Sequence, residues 1–176
     1  MIFIETQRLL LRNVMPKDMQ KIYDYRNNEI CARYQRGQVQ DHEGIATMIE
    51  RSKNDEISVD RPFMVAIALK ETDEIVGEIV VMPNDGTISL GCTFSHRHQR
   101  NGFAFESSRA LIALLHERYP QWDFVVFIDP ENQPSIGLVK KLGFEEMGYL
   151  PSIKSRVYGK WLTQRTKDEF MMAMGS

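Results

Sequence analysis

A stretch near the middle of this 176-residue chain, residues 90–106, sets the tightest limit on what the chain can fold into. It begins in a strand pattern over Thr87–Ser95, passes through a polar loop that holds Gly102, and enters a helix predicted over Phe105–Arg118. Glycine lets the backbone approach a ligand closely, and the first N–H groups of a helix have no partner within the helix. Because the start of a helix also carries partial positive charge, this junction is typical of an anion-binding site.

Two arginines, Arg97 and Arg100, accompany the loop and can reach phosphate oxygens. The alternative is a plain strand-to-helix turn in which Gly102 only relieves backbone strain. A single Gly–x–small pattern is common, so the loop by itself leaves both interpretations open.

Hydrophobic periodicity divides the rest of the chain into strands and helices around this junction. Strands are predicted around Leu9–Val14, over Phe63–Leu69, Ile75–Met82 and Trp122–Ile128, and twice within residues 144–171 around a turn at Pro151. Helices are predicted over Pro16–Arg26, Asp41–Lys53 and Pro134–Leu142. We therefore predict a single α/β (α+β) domain over residues 1–176, with a mixed, mostly antiparallel sheet flanked by helices.

Composition and charge disfavour several function classes. A formal net charge of -2 gives no basic excess for a nucleic-acid partner, and no run of about 18 apolar residues predicts a membrane span. The two cysteines, Cys31 and Cys92, form no CxxC pair, so we expect neither a disulfide nor a metal site. Because Glu5 interrupts the apolar start and no small-residue cleavage site follows, we predict no signal peptide and a cytoplasmic protein.

A second polar segment follows the strand that ends at Ile128. Asp129 and Asn132 are each typical caps for the short helix predicted over Pro134–Leu142. A capping role explains each residue taken singly. It does not explain why a buried strand, Asn-x-x-Ser, a short helix and Leu-Gly-Phe all follow the anion loop in this order.

Four motifs in this order resemble the GNAT superfamily of N-acetyltransferases, and its RimJ/RimL-like branch in particular. Residues 99–104 (QRNGFA) are similar to the Q/R-x-x-G-x-G/A signature of the superfamily. Residues 129–135 (DPENQPS) and 140–144 (KKLGF) resemble the D-x-x-N-x-x-S and E-K-L-G-F motifs of the branch. Residues 5–12 (ETQRLLLR) are similar to its T-x-R-L-x-L-R first strand, so the resemblance extends from that strand to Gly148.

The resemblance implies that acetyl-coenzyme A is the co-substrate and that no metal takes part. It assigns the cofactor contacts to backbone groups around Cys92, Thr93 and Phe94, to the loop residues Gln99, Arg100, Asn101, Gly102, Phe103 and Ala104, and to Asn132 and Ser135. In that assignment the strand pairs with the pantetheine arm, and the loop amides take the pyrophosphate. The Asn132 side chain hydrogen-bonds the pantetheine, and the Ser135 hydroxyl lies near the thioester sulfur.

The sequence departs from the family pattern at two catalytic positions. Val139 stands where many relatives carry a tyrosine that protonates the thiolate, which leaves Ser135 as the best substitute. The expected glutamate base is missing near the last turn, so Glu78, His96 and His98 are candidates by residue type alone. The alternative makes Glu78 a solvent-facing strand carboxylate and both histidines polar loop residues.

Together these residues predict an N-acetyltransferase that transfers the acetyl group of acetyl-coenzyme A to a primary amine while both substrates are bound. A protein N-terminal amine is the acceptor typical of the branch, and a small-molecule amine (an aminoglycoside, a polyamine or an amino acid) is the alternative. A coenzyme A-binding regulatory module without turnover is a second alternative, because the tyrosine and the glutamate are missing. We expect a monomer or homodimer that binds neither nucleic acid nor membrane.

Overall fold

The computed structural model describes residues 1–175, which form one sheet and the helices that cover it. The strands are β1 (Ile2–Glu5), β2 (Leu9–Arg12), β3 (Phe63–Leu69), β4 (Ile75–Asn84), β5 (Thr87–Phe94), β6 (Asp123–Ile128), β7 (Glu145–Leu150) and β8 (Ser155–Lys160). The helices are α1 (Met19–Arg26), α2 (Glu29–Ala32), α3 (His42–Ser52), α4 (Phe103–Arg118), α5 (Gln133–Lys141) and α6 (Gln164–Met174).

The strand order in the sheet is β1-β2-β3-β4-β5-β6-β8-β7. Neighbouring strands run antiparallel except β5 and β6, which are parallel. The predicted mixed, mostly antiparallel sheet flanked by helices is therefore confirmed. Within residues 1–175, no helix is both long enough and apolar enough to cross a bilayer.

The central strands are apolar on both sides because helices cover both faces of the sheet. On one face α4 and α5 pack through Leu111, Leu115 and Ile136 against strand residues such as Phe124. On the other face the buried side chains of α1, α2 and α3 pack with strand residues such as Ala66. A third, smaller cluster holds α6 against β7 and β8.

β5 and β6 remain paired for only two residues each, Thr87 with Asp123 and Ile88 with Phe124. Beyond these pairs the ladder ends and a gap opens between the strands. At the closed end of the gap, the Asp123 backbone N–H donates to the Gly86 carbonyl at 3.0 Å. The Asp123 carboxylate accepts a hydrogen bond from the Thr163 backbone N–H at 2.6 Å, which joins the start of β6 to the segment after β8. α4 follows β5 and α5 follows β6, so both helices begin at the open end.

Three segments differ from the predicted elements. The short helix α2 was not predicted, and it begins where the Asn28 side-chain oxygen accepts from the Ile30 backbone N–H at 2.9 Å. The start of the chain forms two strands rather than one, because the Thr6 hydroxyl accepts from the Leu9 backbone N–H at 3.1 Å and stabilises a turn. Residues 164–174 form α6, where a strand was predicted to extend to residue 171. Thr163 begins this helix, since its hydroxyl oxygen accepts from the Thr166 N–H at 3.3 Å.

Candidate active site

The gap between β5 and β6 is a cleft of about 750 Å³, a volume that includes space open to solvent. β5, β6, α4 and α5 supply most of its walls, and residues before α3 close one side. Three of the predicted site residues line this cleft from two separate segments: Cys92 lies on β5, and Asn132 and Ser135 lie at the start of α5. Asp129 lines it as well, and it is the one charged side chain among the described lining residues.

The backbone of β5 presents alternate residues to the cleft. The Ser95 N–H donates to the Val76 carbonyl at 2.8 Å, so Ser95 faces β4. Because the hydrogen-bonding direction alternates along a strand, Thr93 also faces β4, whereas Cys92 and Phe94 face the cleft. The predicted backbone contact from Thr93 is therefore corrected, since β4 already occupies its backbone groups.

Side-chain amides donate to the cleft-facing carbonyl groups of β5. The Gln35 side-chain amide donates to the Cys92 carbonyl at 3.0 Å. The Gln99 side-chain amide donates to the Phe94 carbonyl at 3.2 Å. These backbone groups are the ones that an added extended chain would use to pair with β5.

The loop after β5 has the backbone shape that an anion site requires. Arg100 and Gly102 both adopt positive φ, at 66° and 77°, and Gly102 is the residue from which α4 begins. The first helical hydrogen bond is from the Glu106 N–H to the Gly102 carbonyl at 3.0 Å. The N–H groups of residues 103–105 therefore precede the helical hydrogen-bond ladder, at the positive end of the helix.

Space above Gly102 is available for a ligand. A Cβ at this position would have the Arg8 Nη2 atom, at 3.4 Å, as its nearest neighbour. The loop residues Gln99, Arg100, Asn101 and Gly102 are exposed, and only Phe103 of the helix start is buried. The donor set of loop amides beside arginine therefore fits a phosphate-containing ligand.

The Arg8 side chain fixes this loop from the turn between β1 and β2. Its Nε donates to the Glu106 carboxylate at 2.7 Å, and its Nη1 donates to the Asn101 carbonyl at 2.8 Å. Its guanidinium also lies 4.6 Å from the centre of the Phe103 ring. Sequence reasoning missed this role of Arg8, and the first-strand motif that contains it was the only available signal.

The Glu106 carboxylate is ionised in this arrangement. Burial by itself raises the pKa of Glu106, but hydrogen bonds from the Thr6 hydroxyl and from Arg8 outweigh it, so the pKa lies below its usual value. The Thr6 hydroxyl donates to Glu106 at 2.6 Å. The negative charge of Glu106 in the first turn of α4 also interacts favourably with the positive end of the helix dipole.

The start of α5 brings Asn132 and Ser135 to the same side of the cleft. The Asn132 side-chain oxygen accepts from the Ser135 backbone N–H at 3.3 Å, which makes Asn132 the cap of this helix. The cap uses the Ser135 backbone, and the Ser135 side chain faces the cleft. Asn132 can therefore cap α5 and line the cleft at the same time.

Two lining residues have no acid or nucleophile function. Cys92 lies with its sulfur 3.9 Å from the Ser108 hydroxyl, and burial raises the pKa of the Cys92 thiol to about 11. The thiol is therefore protonated at neutral pH and is a poor nucleophile. Val139 also lines the cleft, and its side chain has no proton to donate.

Glu78 is buried, which corrects the interpretation of a solvent-facing carboxylate. Its side chain is 1% exposed and accepts hydrogen bonds from the Tyr25 hydroxyl and the Arg26 guanidinium. Burial and the adjacent Glu78 charge raise the pKa of Tyr25 well above its usual value. Both carboxylate oxygens of Glu78 are thus engaged, and Glu78 is absent from the described residues that line the cleft.

The two histidine candidates lie beside the loop rather than in the cleft. His96 has its Nδ1 atom 3.9 Å from the Cys31 sulfur, and His98 has its Nε2 atom 3.9 Å from the Glu74 carboxylate. Neither is among the described lining residues. No group of three or more His, Cys, Asp or Glu suited to a metal ion occurs within residues 1–175.

Residues 34–38, which we call the strap, cross the cleft between α2 and α3. The Tyr34 hydroxyl donates to the Glu131 carbonyl at 3.2 Å, and the Arg36 Nη1 donates to the Ile153 carbonyl at 3.3 Å. The strap comes from the same face of the sheet as α1 to α3, opposite α4 and α5. No sequence pattern indicated it, because its partners are distant in the chain.

Comparison with known proteins agrees with this geometry. The family model of the acetyltransferase (GNAT) domain matches residues 8–145. The uncharacterized N-acetyltransferase YnaD of Bacillus subtilis is 26% identical over 148 residues, which cover 83% of this chain and 84% of YnaD.

Solved structures share the fold at low identity. RimL, a ribosomal L7/L12 α-N-protein acetyltransferase in complex with coenzyme A, has a TM-score of 0.76 at 14% identity, covering 91% of this chain and 97% of RimL. A variant of SpeG, the spermidine N-acetyltransferase of Vibrio cholerae, has a TM-score of 0.68 at 14% identity, covering 88% and 92%.

The family match includes the β5–α4 junction, the cleft and the start of α5. The family predicted from the four sequence motifs is confirmed by this match. With the loop, the cleft and the helix cap in the arrangement described above, the chain belongs to the GNAT family of acetyltransferases, and the protein is an acyltransferase.

Proposed function

We propose that the protein transfers the acetyl group of acetyl-coenzyme A to a primary amine, with both substrates bound in one ternary complex. The observation that carries this proposal is the junction of the open β5–β6 cleft with the positive-φ loop at the start of α4. An extended arm in the cleft can pair with β5 while its phosphates reach the loop amides. This geometry suits one long ligand with an anionic end.

Different residues of this chain would bind different parts of the cofactor. The loop residues 99–104 would hold the pyrophosphate, with Arg8 keeping the loop in shape. The backbone of Cys92 and Phe94 would pair with the pantetheine arm after Gln35 and Gln99 release their carbonyls. Asn132 would reach the same arm from the start of α5.

The chemistry requires a neutral amine and a leaving thiolate. The amine nitrogen bonds to the acetyl carbon, the carbon–sulfur bond breaks, the amine proton goes to water, and the thiolate receives a proton. A cleft-facing N–H of β5 can stabilise the oxyanion, and the Ser135 hydroxyl can donate to the departing sulfur. We propose water rather than Glu78 as the proton acceptor, because Glu78 is paired with Arg26.

For the acceptor, we propose only that it is a primary amine. RimL is named for a protein N-terminal substrate and SpeG for spermidine, and this chain shares its fold with both. Either kind of amine suits the proposed reaction. We propose a cytoplasmic location, because both cysteines are free thiols.

Release of free thiol from acetyl-coenzyme A tests the proposal. A panel containing N-terminal peptides, spermidine and amino acids should include at least one amine that accelerates thiol release well above hydrolysis. Binding of acetyl-coenzyme A without thiol release for any amine would instead support a non-catalytic regulatory module.

Ser135→Ala separates catalysis from helix capping. Alanine keeps the backbone N–H that Asn132 accepts, so stability should stay within about 0.5 kcal/mol. Loss of one transition-state hydrogen bond should lower the single-turnover rate tenfold to a hundredfold, about 1 to 3 kcal/mol. An unchanged rate with the same cofactor affinity would remove Ser135 from the catalytic residues.

A further inference from the structure

The cleft contains an ionic side chain that the proposed reaction has not yet used. Asp129 directly follows β6 and lines the cleft, where the other described lining residues are neutral. Its side chain is 30% exposed, so it is neither a core residue nor a fully solvated surface charge. A partly buried carboxylate with no other charged group among the described lining residues attracts a cation, because burial weakens the screening by water.

The two oxygens of Asp129 have different partners. Oδ1 accepts from the Glu131 backbone N–H at 2.9 Å, which fixes the orientation of the carboxylate. Oδ2 lies 3.7 Å from Arg36 Nη2, beyond normal hydrogen-bond distance. The Arg36 side chain is 65% exposed, so the pair is loose and accessible to water. One oxygen is therefore held in place while the other remains available to a ligand.

The available oxygen, Oδ2, lies towards Arg36. Arg36 belongs to the strap, which arrives from the face covered by α1 to α3. The anion loop and Ser135 belong to α4 and α5, on the other face. A second substrate that reaches the cleft past the strap would therefore meet Asp129 and Arg36 before the reacting thioester.

We propose that Asp129 binds the ammonium form of the acceptor as it enters, and that this ammonium replaces Arg36 at Oδ2. The ammonium then loses one proton to water, and the neutral amine attacks the acetyl carbon as described above. This inference rests on the proposed acetyl transfer and names its substrate class as cationic primary amines. Arg36 competes with the acceptor for the same oxygen. The two side chains therefore have opposite effects on acceptor affinity, which a purely structural ion pair would not produce.

Three single variants test the inference in steady-state kinetics with the best amine of the panel. Asp129→Asn removes the charge but keeps an oxygen for the Glu131 N–H, so the fold should be retained. We expect its acceptor KM to rise at least tenfold while the KM for acetyl-coenzyme A changes less than twofold. Arg36→Gln should lower the acceptor KM severalfold, because it removes the competing cation. Glu131→Gln, an exposed carboxylate two residues away, is the matched control and should resemble the wild type.

Each result has one meaning. Equal acceptor KM values for Asp129→Asn and Glu131→Gln, with an active wild type, would overturn this inference alone. A rise in KM for both Asp129→Asn and Arg36→Gln would also overturn it, since it would show that the ion pair only shapes the strap. A wild type that releases no thiol with any amine would overturn the proposed function, and this inference with it.

Discussion

The two faces of the sheet meet at the same cleft but are constructed in different ways. On the face of α4 and α5, the helix starts are formed locally: Gly102 begins one helix and Asn132 caps the other through a residue three positions away. The long-range contact described there is the anchor from Arg8 to Glu106. On the face of α1 to α3, the polar interactions join distant residues. Arg26 pairs with Glu78 across 52 positions, and Gln38 donates to the Thr93 hydroxyl across 55 positions at 3.0 Å.

The difference follows from how each face can recognise a ligand. A ligand bound through backbone N–H groups requires small residues, positive φ and a helix start, all at fixed spacing in the sequence. A ligand bound through side chains depends on whichever distant segments carry them. The first face suits a constant cofactor, and the second suits an acceptor that differs among relatives.

The largest expected effect concerns the buried network on the α1–α3 face. Glu78→Gln preserves the shape of the side chain but leaves the Arg26 charge buried without its counter-ion. Arg26 Nε already has no hydrogen-bond partner within the described residues, and the Val39 carbonyl that accepts from its Nη1 at 2.9 Å carries no charge. We expect a loss of about 3 to 5 kcal/mol in the free energy of unfolding, measured by urea denaturation.

Glu169→Gln is the control for Glu78→Gln. Glu169 pairs with Arg165 on the exposed surface of α6 at 2.9 Å, and its loss should cost at most about 0.5 kcal/mol. If Glu78→Gln kept normal stability and instead lost turnover per folded molecule, Glu78 would be the general base. The network of Glu78, Arg26 and Tyr25 would then be catalytic rather than structural.

The next effect concerns the loop on the α4–α5 face. Gly102→Val introduces a β-branched side chain at a φ of 77° and places it where the ligand phosphate is proposed to lie. We expect acetyl-coenzyme A affinity to fall at least tenfold, about 1.4 kcal/mol, when measured by calorimetry.

The matched control is Gly86→Val in the β4–β5 turn. Gly86 has a similar φ of 88° but lies at the opposite end of β5 from the loop. Both variants should lose stability through backbone strain, and only Gly102→Val should lose affinity. Equal affinities in the two variants would mean that this loop does not bind the pyrophosphate.

The smallest effect concerns the anchor between Arg8 and Glu106. The folded-state pKa of Glu106 is depressed, so its contribution to stability is present above its unfolded pKa and is lost as pH falls through the folded value. Glu106→Gln should lower stability by about 1 kcal/mol at pH 7, because Arg8 is partly exposed and water screens the pair. The difference between wild type and variant in melting temperature should shrink below about pH 4.3. A constant difference across this range would show that the Glu106 charge contributes nothing.

The sequence was informative where interactions are local. Gly102, Asn132 and Ser135 could be singled out because their motifs describe a backbone conformation and a helix start within a few residues. The cleft that brings Asn132 and Ser135 to Cys92 could also be expected, since a strand followed by a helix occurs twice in succession there. The same reasoning placed Thr93 beside the cofactor, and only the strand register reveals that it faces β4.

Long-range partners could not be predicted from this sequence. Nothing near Glu78 indicates that Arg26 and Tyr25 would bury it, and nothing near Arg36 indicates Asp129 as its neighbour. The C-terminal helix was missed for a related reason. Residues 164–169 are all polar, and α6 is held by packing of Phe170 on β7 and β8, a contact that the local pattern does not contain.

The short pairing between β5 and β6 has a mechanical consequence. Within the described residues, two strand residue pairs connect the backbone of β1–β5 to that of β6–β8. The two portions of the sheet are therefore held together mainly by the packing of apolar side chains of α4, such as Leu111 and Leu115. The two portions of the sheet can then open as separate cooperative units, each with its own amide exchange rate. A molecule bound in the cleft that hydrogen-bonds to the backbone of both β5 and β6 would connect the two portions of the sheet. Its binding would then slow amide hydrogen exchange far from the cleft, in β7 and β8.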